Sequence, residues 1–223
     1  MMQLVSIQVG LPRTIPPTGD GQPWDKEWET AFWKEPVEGP VALGSLNVEG
    51  DGVADTNGHG GPDRAALCYS ADHYPIWRQE LDLPDLPHGG FGENFTIAGQ
   101  DEGTVCIGDV YEVGQAVIQV SKPRGPCKKI SWRWRRADLL QQVEASGRHG
   151  WYLRVLREGQ VEAGQPIRLQ DRPHPEWTVR AAADVIRFRK RRPELAAQLA
   201  LCEALAVEDR LRLRAAARDA VAG

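Results

Sequence analysis

No apolar run in the sequence approaches the ~20 residues that a helix needs to cross a bilayer. The opening residues, MMQLVSIQVGLPR, carry neither a charged leader nor a long apolar centre, so no signal peptide is expected and residues 3–9 read as a first strand. Cysteine is scarce. Of 223 residues only Cys68, Cys106, Cys127 and Cys202 are thiols, and none forms a CxxC pair. A chain this long does not depend on disulfides, so reduced thiols and a cytoplasmic location are expected, and no four-ligand zinc spacing is present. A dinucleotide fingerprint is also missing, because the glycines of GHGG do not match GxGxxG. Acidic residues are absent from one stretch: none occurs from 121 to 137, although the whole chain has a formal charge of −4.

What is present is ordinary for a soluble globular chain: 41% hydrophobic and 26% charged residues, with 23 glycines and 16 prolines. That turn content favours many short strands. Residues 10–40 are rich in Pro, Gly, Trp and charge and read as an irregular excursion with a short strand near Trp33. Residues 41–53 allow one or two strands. After a glycine-rich loop, Arg64–Tyr69 reads as a strand and Ser70 as the N-cap of a helix over 71–82 with Tyr74, Trp77 and Leu81 on one face. A short strand is expected at about 93–97. The alternation of 110–113 and 116–121 about a glycine turn is a hairpin signal. A helix at 137–145 should stop at Gly147, followed by strands in GWYLRVLREGQV and PIRLQDR.

From about residue 175 glycine disappears until the last residue, and Ala, Leu and Arg take over. Thr178 can cap a helix at 179–189 with Val179, Ala182, Ala183 and Ile186 inward. Pro193 suits the first turn of a second helix carrying Leu195, Leu199 and Cys202, and a third runs from about 207 to 221. The expected layout is a mainly β domain over 1–171, a barrel or twisted sheets, and a three-helix domain over 175–223. Residues 172–223 hold 11 cations and 7 acids, a net of +4, which leaves 16 against 24, a net of −8, for the rest. Ala-rich, Arg-studded helices usually present a solvated bundle surface, so specific nucleic-acid binding is not expected of the tail, nor is a membrane partner.

The acid-free stretch begins SKPRGPCKK, residues 121–129. Pro123 and Pro126 stiffen the loop, and Lys122, Arg124, Lys128 and Lys129 favour a thiolate at Cys127. A thiolate is either a nucleophile or a soft metal ligand, the alternative being a buried structural thiol. Local chemistry leaves the first two level. His59-Gly60-Gly61-Pro62-Asp63-Arg64 is either a surface turn or an anion loop with Arg64 as bidentate donor. Glu93 and Asn94, poor strand formers in an apolar strand, face either a pocket or solvent. Trp132 and Trp134 among Arg133, Arg135 and Arg136 either stack single-stranded bases or pack beneath a solvated face.

Several stretches in order, NGHGGPDRAALCYSADHY (57–74), GFGENFTIAG with VCIGDVYEVGQAVIQVSKPRGPC (90–127) and GRHGWYLRVL (147–156), resemble the MOSC domain, named for the C-terminal domain of molybdenum cofactor sulfurases. The GEN, IGD, QVSxPRxPC and GW motifs are most similar to its bacterial YiiM-like branch, and the tail resembles the "3-alpha" domain that follows there. The resemblance spans about 40–220 and does not cover 10–40 well. It implies a MOSC-type β-barrel with a few peripheral helices, a molybdopterin-type molybdenum cofactor and Cys127 as metal ligand. Arg64, Asn94, Ser121, Arg124, Lys128 and Lys129 would hold the cofactor, and Glu93 and His59 are candidates for proton delivery. The implied activity is reduction of N-hydroxylated compounds, amidoximes and hydroxylaminopurine-type bases, to amines, with electrons from an external donor. The alternative is a cofactor-handling sulfur carrier with a persulfide on Cys127.

Overall fold

The computed structural model describes residues 2–222, apart from the side chains at 56, 57, 221 and 222. Met1 and Gly223, the outer ends of the two expected domains, lie outside the described residues. The strands in chain order are β1 (Gln3–Val9), β2 (Arg13–Ile15), β3 (Trp28–Thr30), β4 (Glu35–Pro36), β5 (Val41–Leu43), β6 (Ala66–Ser70) and β7 (Phe95–Ala98). They continue as β8 (Val110–Val113), β9 (Ala116–Pro123), β10 (Trp151–Arg157), β11 (Gly159–Val161) and β12 (Ile167–Asp171). The helices are α1 (Thr56–His59), α2 (Tyr74–Glu80), α3 (Lys129–Trp134), α4 (Leu139–Ser146), α5 (Val179–Arg187), α6 (Pro193–Leu199) and α7 (Val207–Ala222).

Eight strands form one sheet in the order β12-β8-β9-β10-β6-β7-β1-β4, with β6 and β7 its one parallel pair. The sheet curls until its ends meet. Leu4 N–H donates to the Gln165 carbonyl at 3.0 Å, Gly164 N–H to Leu4 at 2.7 Å and Ile167 N–H to Met2 at 3.1 Å, which joins β1 to the start of β12. Closure of this kind satisfies edge groups that an open sheet would leave exposed. β5 and β11 form a small accessory ladder, and β2 and β3 a hairpin.

The inward rows of the strands fill the barrel. Leu4, Phe95, Val120 and Trp151 are each at most 1% exposed and belong to one core with Val179, Ala182, Leu199, Leu205 and Leu213 of the C-terminal helices. Backbone bonds reinforce that junction: Val179 N–H reaches the Val105 carbonyl, Arg180 N–H that of Glu102 and Ala206 N–H that of Ser121. The tail therefore shares apolar surface with the barrel wall.

Several elements differ in detail from the sequence reading. Segment 10–40 contains the β2–β3 hairpin and β4 on either side of Trp33. Arg64 ends a 3₁₀ turn ahead of β6, and a second such turn over Ala71–His73 precedes α2. Ser70 caps that turn as expected, accepting from Asp72 N–H, and Gly147 ends α4 in the left-handed region. α5 buries Val179 and Ala182 and packs Ile186 partly against the core, as the pattern predicts, while Val185, at steps of three from Val179 and Ala182, is also buried and Ala183 only half-buried. In α6 Ala196 and Leu199 point inward and Leu195 outward, while Cys202 is buried beyond the helix end. α3 follows the cysteine loop, in a stretch to which the sequence pattern assigns no element.

Candidate functional site

An open cleft lies against one side of the barrel and brings together His59, Arg64, Asn94, Arg124, Cys127 and Lys129. Residues separated by up to 70 positions meet there because β9 and β6 flank the same strand, β10. β9 ends at Pro123, opposite Trp151, and Arg124 N–H extends the ladder by donating to the Gly150 carbonyl at 3.0 Å. Gly150 is fixed by this packing: its φ is +83°, and a Cβ would sit 2.4 Å from the Cys68 carbonyl oxygen. Beyond it, Pro126 breaks the strand and the Cys127 carbonyl accepts from Ile130 N–H at 3.1 Å, turning the chain into α3. The thiol thus stands partly exposed between a ladder end and a helix start. The other three cysteines are buried and free.

The cationic wall has several parts. The Arg124 side chain is 5% exposed, has no carboxylate partner among the described residues and makes one long bond, from Nη1 to the His149 carbonyl at 3.5 Å. A buried guanidinium left this way carries a desolvation cost that an anion would offset. Arg64 donates to the Gly60 carbonyl at 3.2 Å and pairs with Glu208 at the start of α7. Lys129 lines the cleft while its Nζ donates to the Glu29 carbonyl at 2.7 Å. In α1, Asp55 caps the helix by accepting from Gly58 N–H at 3.1 Å, and His59 follows one residue later. Partial burial pushes the His59 imidazole below its ordinary value, with Asp55 opposing.

Gly125 is the neighbouring clue. A Cβ there would meet nothing within 4 Å, and its φ lies outside the left-handed region, so neither packing nor backbone conformation demands glycine. The open space beside it is room for a ligand approaching the loop backbone.

Three of the sequence candidates lie elsewhere. Glu93 precedes β7 and is fully buried, accepting from Gly89 N–H at 2.7 Å, Phe91 N–H at 3.2 Å, Thr96 Oγ1 at 3.0 Å and the Tyr74 hydroxyl. It ties a loop together, while its neighbours Gly92 and Asn94 line the cleft. Ser121 is buried on β9, its Oγ 2.7 Å from the Asp63 carbonyl and 3.0 Å from that of Tyr152. Lys128 is exposed, with Nζ 4.9 Å from the Trp132 ring. That ring packs on Trp28 at 5.1 Å, and Trp134 donates to the Gly90 carbonyl at 2.8 Å, so the tryptophans of this segment are held against the fold.

Sequence reading missed the opposite wall. Lys34 and Asp51 form a buried ion pair lining the cleft. Burial lowers the Lys34 ammonium from its ordinary value, with Asp51 opposing. Asp51 also accepts from Gly10 N–H and from Asn94 Nδ2, each at 2.8 Å, and Asn94 Oδ1 accepts from Leu67 N–H at 3.0 Å. Asn94 therefore anchors the excursion to β6. Phe32 completes this wall, flanked by Arg124 at 5.9 Å and Arg133 at 5.5 Å from its ring centre. No local pattern marks these residues, whose partners are 17 to 43 positions apart.

The arrangement is a cleft with one free thiol, a buried guanidinium without a carboxylate partner among the described residues and an imidazole on one side, and Phe32 with the buried Lys34–Asp51 pair on the other. It can hold an anionic ligand against the thiol and pass a proton from His59. Comparisons with known proteins match residues 55–168 to the MOSC domain model. The uncharacterized protein YflK of Bacillus subtilis (strain 168) is 42% identical over 169 residues, 76% of this chain and 73% of that protein. A Gibberella moniliformis (strain M3125 / FGSC 7600) protein named Reductase is 40% identical over 168 residues, 73% of this chain but only 29% of that longer protein. The crystal structure of YiiM from Geobacillus stearothermophilus superposes with a TM-score of 0.80 at 31% identity, covering 97% of this chain and all of that one.

Proposed function

The chain belongs to the MOSC domain family, and on that premise we propose that its cleft holds a molybdenum cofactor and reduces N-hydroxylated compounds to amines. The observation that carries this reading is the Cys127 thiol, free and partly exposed in the cleft beside Arg124, which is buried with no carboxylate partner. The residues present fit such a group. A soft thiolate suits molybdenum, and the cationic wall of Arg64, Arg124 and Lys129 suits its phosphate. The fungal relative's name agrees with a reductive role.

Reduction of R–NH–OH breaks the N–O bond, consumes two electrons and two protons, and releases water and R–NH2. When bound, the cofactor would supply the electron pair, replenished by an external donor. This chain's own residues do the rest. Cys127 Sγ holds the metal, and the buried Lys34–Asp51–Asn94 network keeps the opposite wall in place. His59 is the proton donor to the departing oxygen, since it is the imidazole lining the cleft. Phe32 and Leu46 give the substrate an apolar face, which suits flat aromatic amidoximes and N-hydroxylated purines.

Protein made in a host that synthesises the cofactor should reduce benzamidoxime or 6-hydroxylaminopurine, and Cys127→Ala should abolish this by about 10³-fold or more. An inactive wild type that gains one sulfur on Cys127 after exposure to a sulfur donor, read by mass spectrometry, would replace this reading with the sulfur-carrier one.

A further inference from the structure

A second cavity lies on the other side of the cysteine loop, between it, the end of α4 and the helices α5 and α7. It shares only Arg124 and Gly125 with the first cleft, so the loop is a wall between two chambers. Its lining holds six cations, Lys122, Arg124, Arg180, Arg187, Arg189 and Arg212, against three carboxylates, a net of three positive charges. Two of the carboxylates are committed. Glu144 pairs with Arg187 at 3.4 Å, and Asp209 with Lys122 at 2.8 Å and Arg212 at 3.6 Å. Asp184 is the third, and Arg124, Arg180 and Arg189, which line the same cavity, have no carboxylate partner among the described residues.

Two buried groups show that this is more than a charged surface. Arg124, 5% exposed, contributes to this lining too. His149 is 7% exposed, and its Nδ1 lies 3.0 Å from the Gly150 carbonyl, while Nε2 has no partner among the described residues. Burial holds this imidazole below its ordinary value, so the ring is neutral near pH 7 and does not repel the guanidinia. Arg180 lies along the α4 terminus, where a Cβ on Gly147 would come within 3.1 Å of its Nη1.

We propose that this second cavity binds a small tetrahedral dianion of the phosphate class, held by the guanidinia of Arg124, Arg180 and Arg189. The dianion supplies the charge that these three arginines lack. Because Arg124 borders both chambers, occupancy here also fixes the guanidinium that faces Cys127. The site does not depend on the cofactor reading.

The test is calorimetric titration of the cofactor-free full chain with inorganic phosphate and, separately, with glycerol 3-phosphate, whose relative affinities distinguish free phosphate from an ester. Saturable one-site binding with Kd at or below about 1 mM is expected. Arg180→Ala, at an exposed position, should weaken it at least about tenfold with the fold intact by circular dichroism. Arg168→Ala, exposed on β12 and lining neither chamber, should leave it within about twofold. Binding lost with Lys129→Ala but kept with Arg180→Ala would put the anion in the cofactor cleft and overturn the proposal. Absence of saturable binding would also overturn it, without touching the molybdenum reading, which rests on metal content.

Discussion

Two glycines on either side of the same ladder end should respond oppositely to a single methyl group. At Gly150 an alanine must hold φ near +83° and place its Cβ 2.4 Å from the Cys68 carbonyl oxygen. The left-handed conformation alone costs ~1–2 kcal/mol, and relieving a clash with fixed backbone brings the total to about 3 kcal/mol. For a chain of this length about 3 kcal/mol corresponds to a fall in Tm of roughly 6–12 °C. At Gly125 the same substitution meets nothing within 4 Å and needs no unusual φ. Its main effect is on the unfolded chain, which loses backbone freedom, so stability should rise by about 0.4–1 kcal/mol, or roughly 1–4 °C. Scanning calorimetry on cofactor-free protein reads both. The functional half uses Gly125→Leu, which should keep its Tm yet lose molybdenum occupancy or phosphate affinity, according to which chamber the side chain enters. A drop of several degrees in Gly125→Ala, or full retention of both ligands by Gly125→Leu, would refute the claim that this glycine serves a ligand.

Other outcomes follow from the same contacts. Glu93→Gln replaces an acceptor that serves four donors, so urea denaturation should show a loss of about 2–4 kcal/mol; a loss under about 0.5 kcal/mol would contradict its structural role. Leu199→Ala, in the core shared by tail and barrel, should cost about 2–5 kcal/mol and lower one common unfolding transition instead of splitting it. Burial depresses the imidazoles of His59, His88 and His149, so the unfolded chain binds more protons below about pH 6.5. Their contribution is full above that pH and is lost as pH falls through the lowered values. The urea midpoint should therefore drop from pH 7.5 to 5.5, and an unchanged midpoint would refute it. The same depression of His59 predicts that reductase turnover rises toward acid with its limb below the ordinary histidine value, and that His59→Gln flattens that limb.

Local signals in the sequence located what depends on neighbours along the chain. β1, the β8–β9 hairpin, the Ser70 cap and the Gly147 stop are each set by alternation or by one turn residue, and each is where the pattern put it. The cysteine loop was legible for the same reason. What escaped depends on partners far away. α3 is only six residues long and buries Ile130, Ser131 and Trp132 in succession, which gives no 3.6-residue stripe to read. Glu93 and Asn94 are adjacent, yet one closes a loop and the other lines the cleft, a division set by where β7 begins. Lys34 sits in the stretch that the family motifs cover least, and nothing around Asp51 in EGDG distinguishes a cleft residue from a turn.

The central claim, that Cys127 holds the metal, is tested most directly by molybdenum K-edge absorption on wild type and Cys127→Ser purified from a cofactor-producing host. The account predicts one more sulfur neighbour per molybdenum in the wild type than in the variant, together with reduced metal content in the variant. Equal sulfur counts with equal molybdenum in both proteins would contradict it.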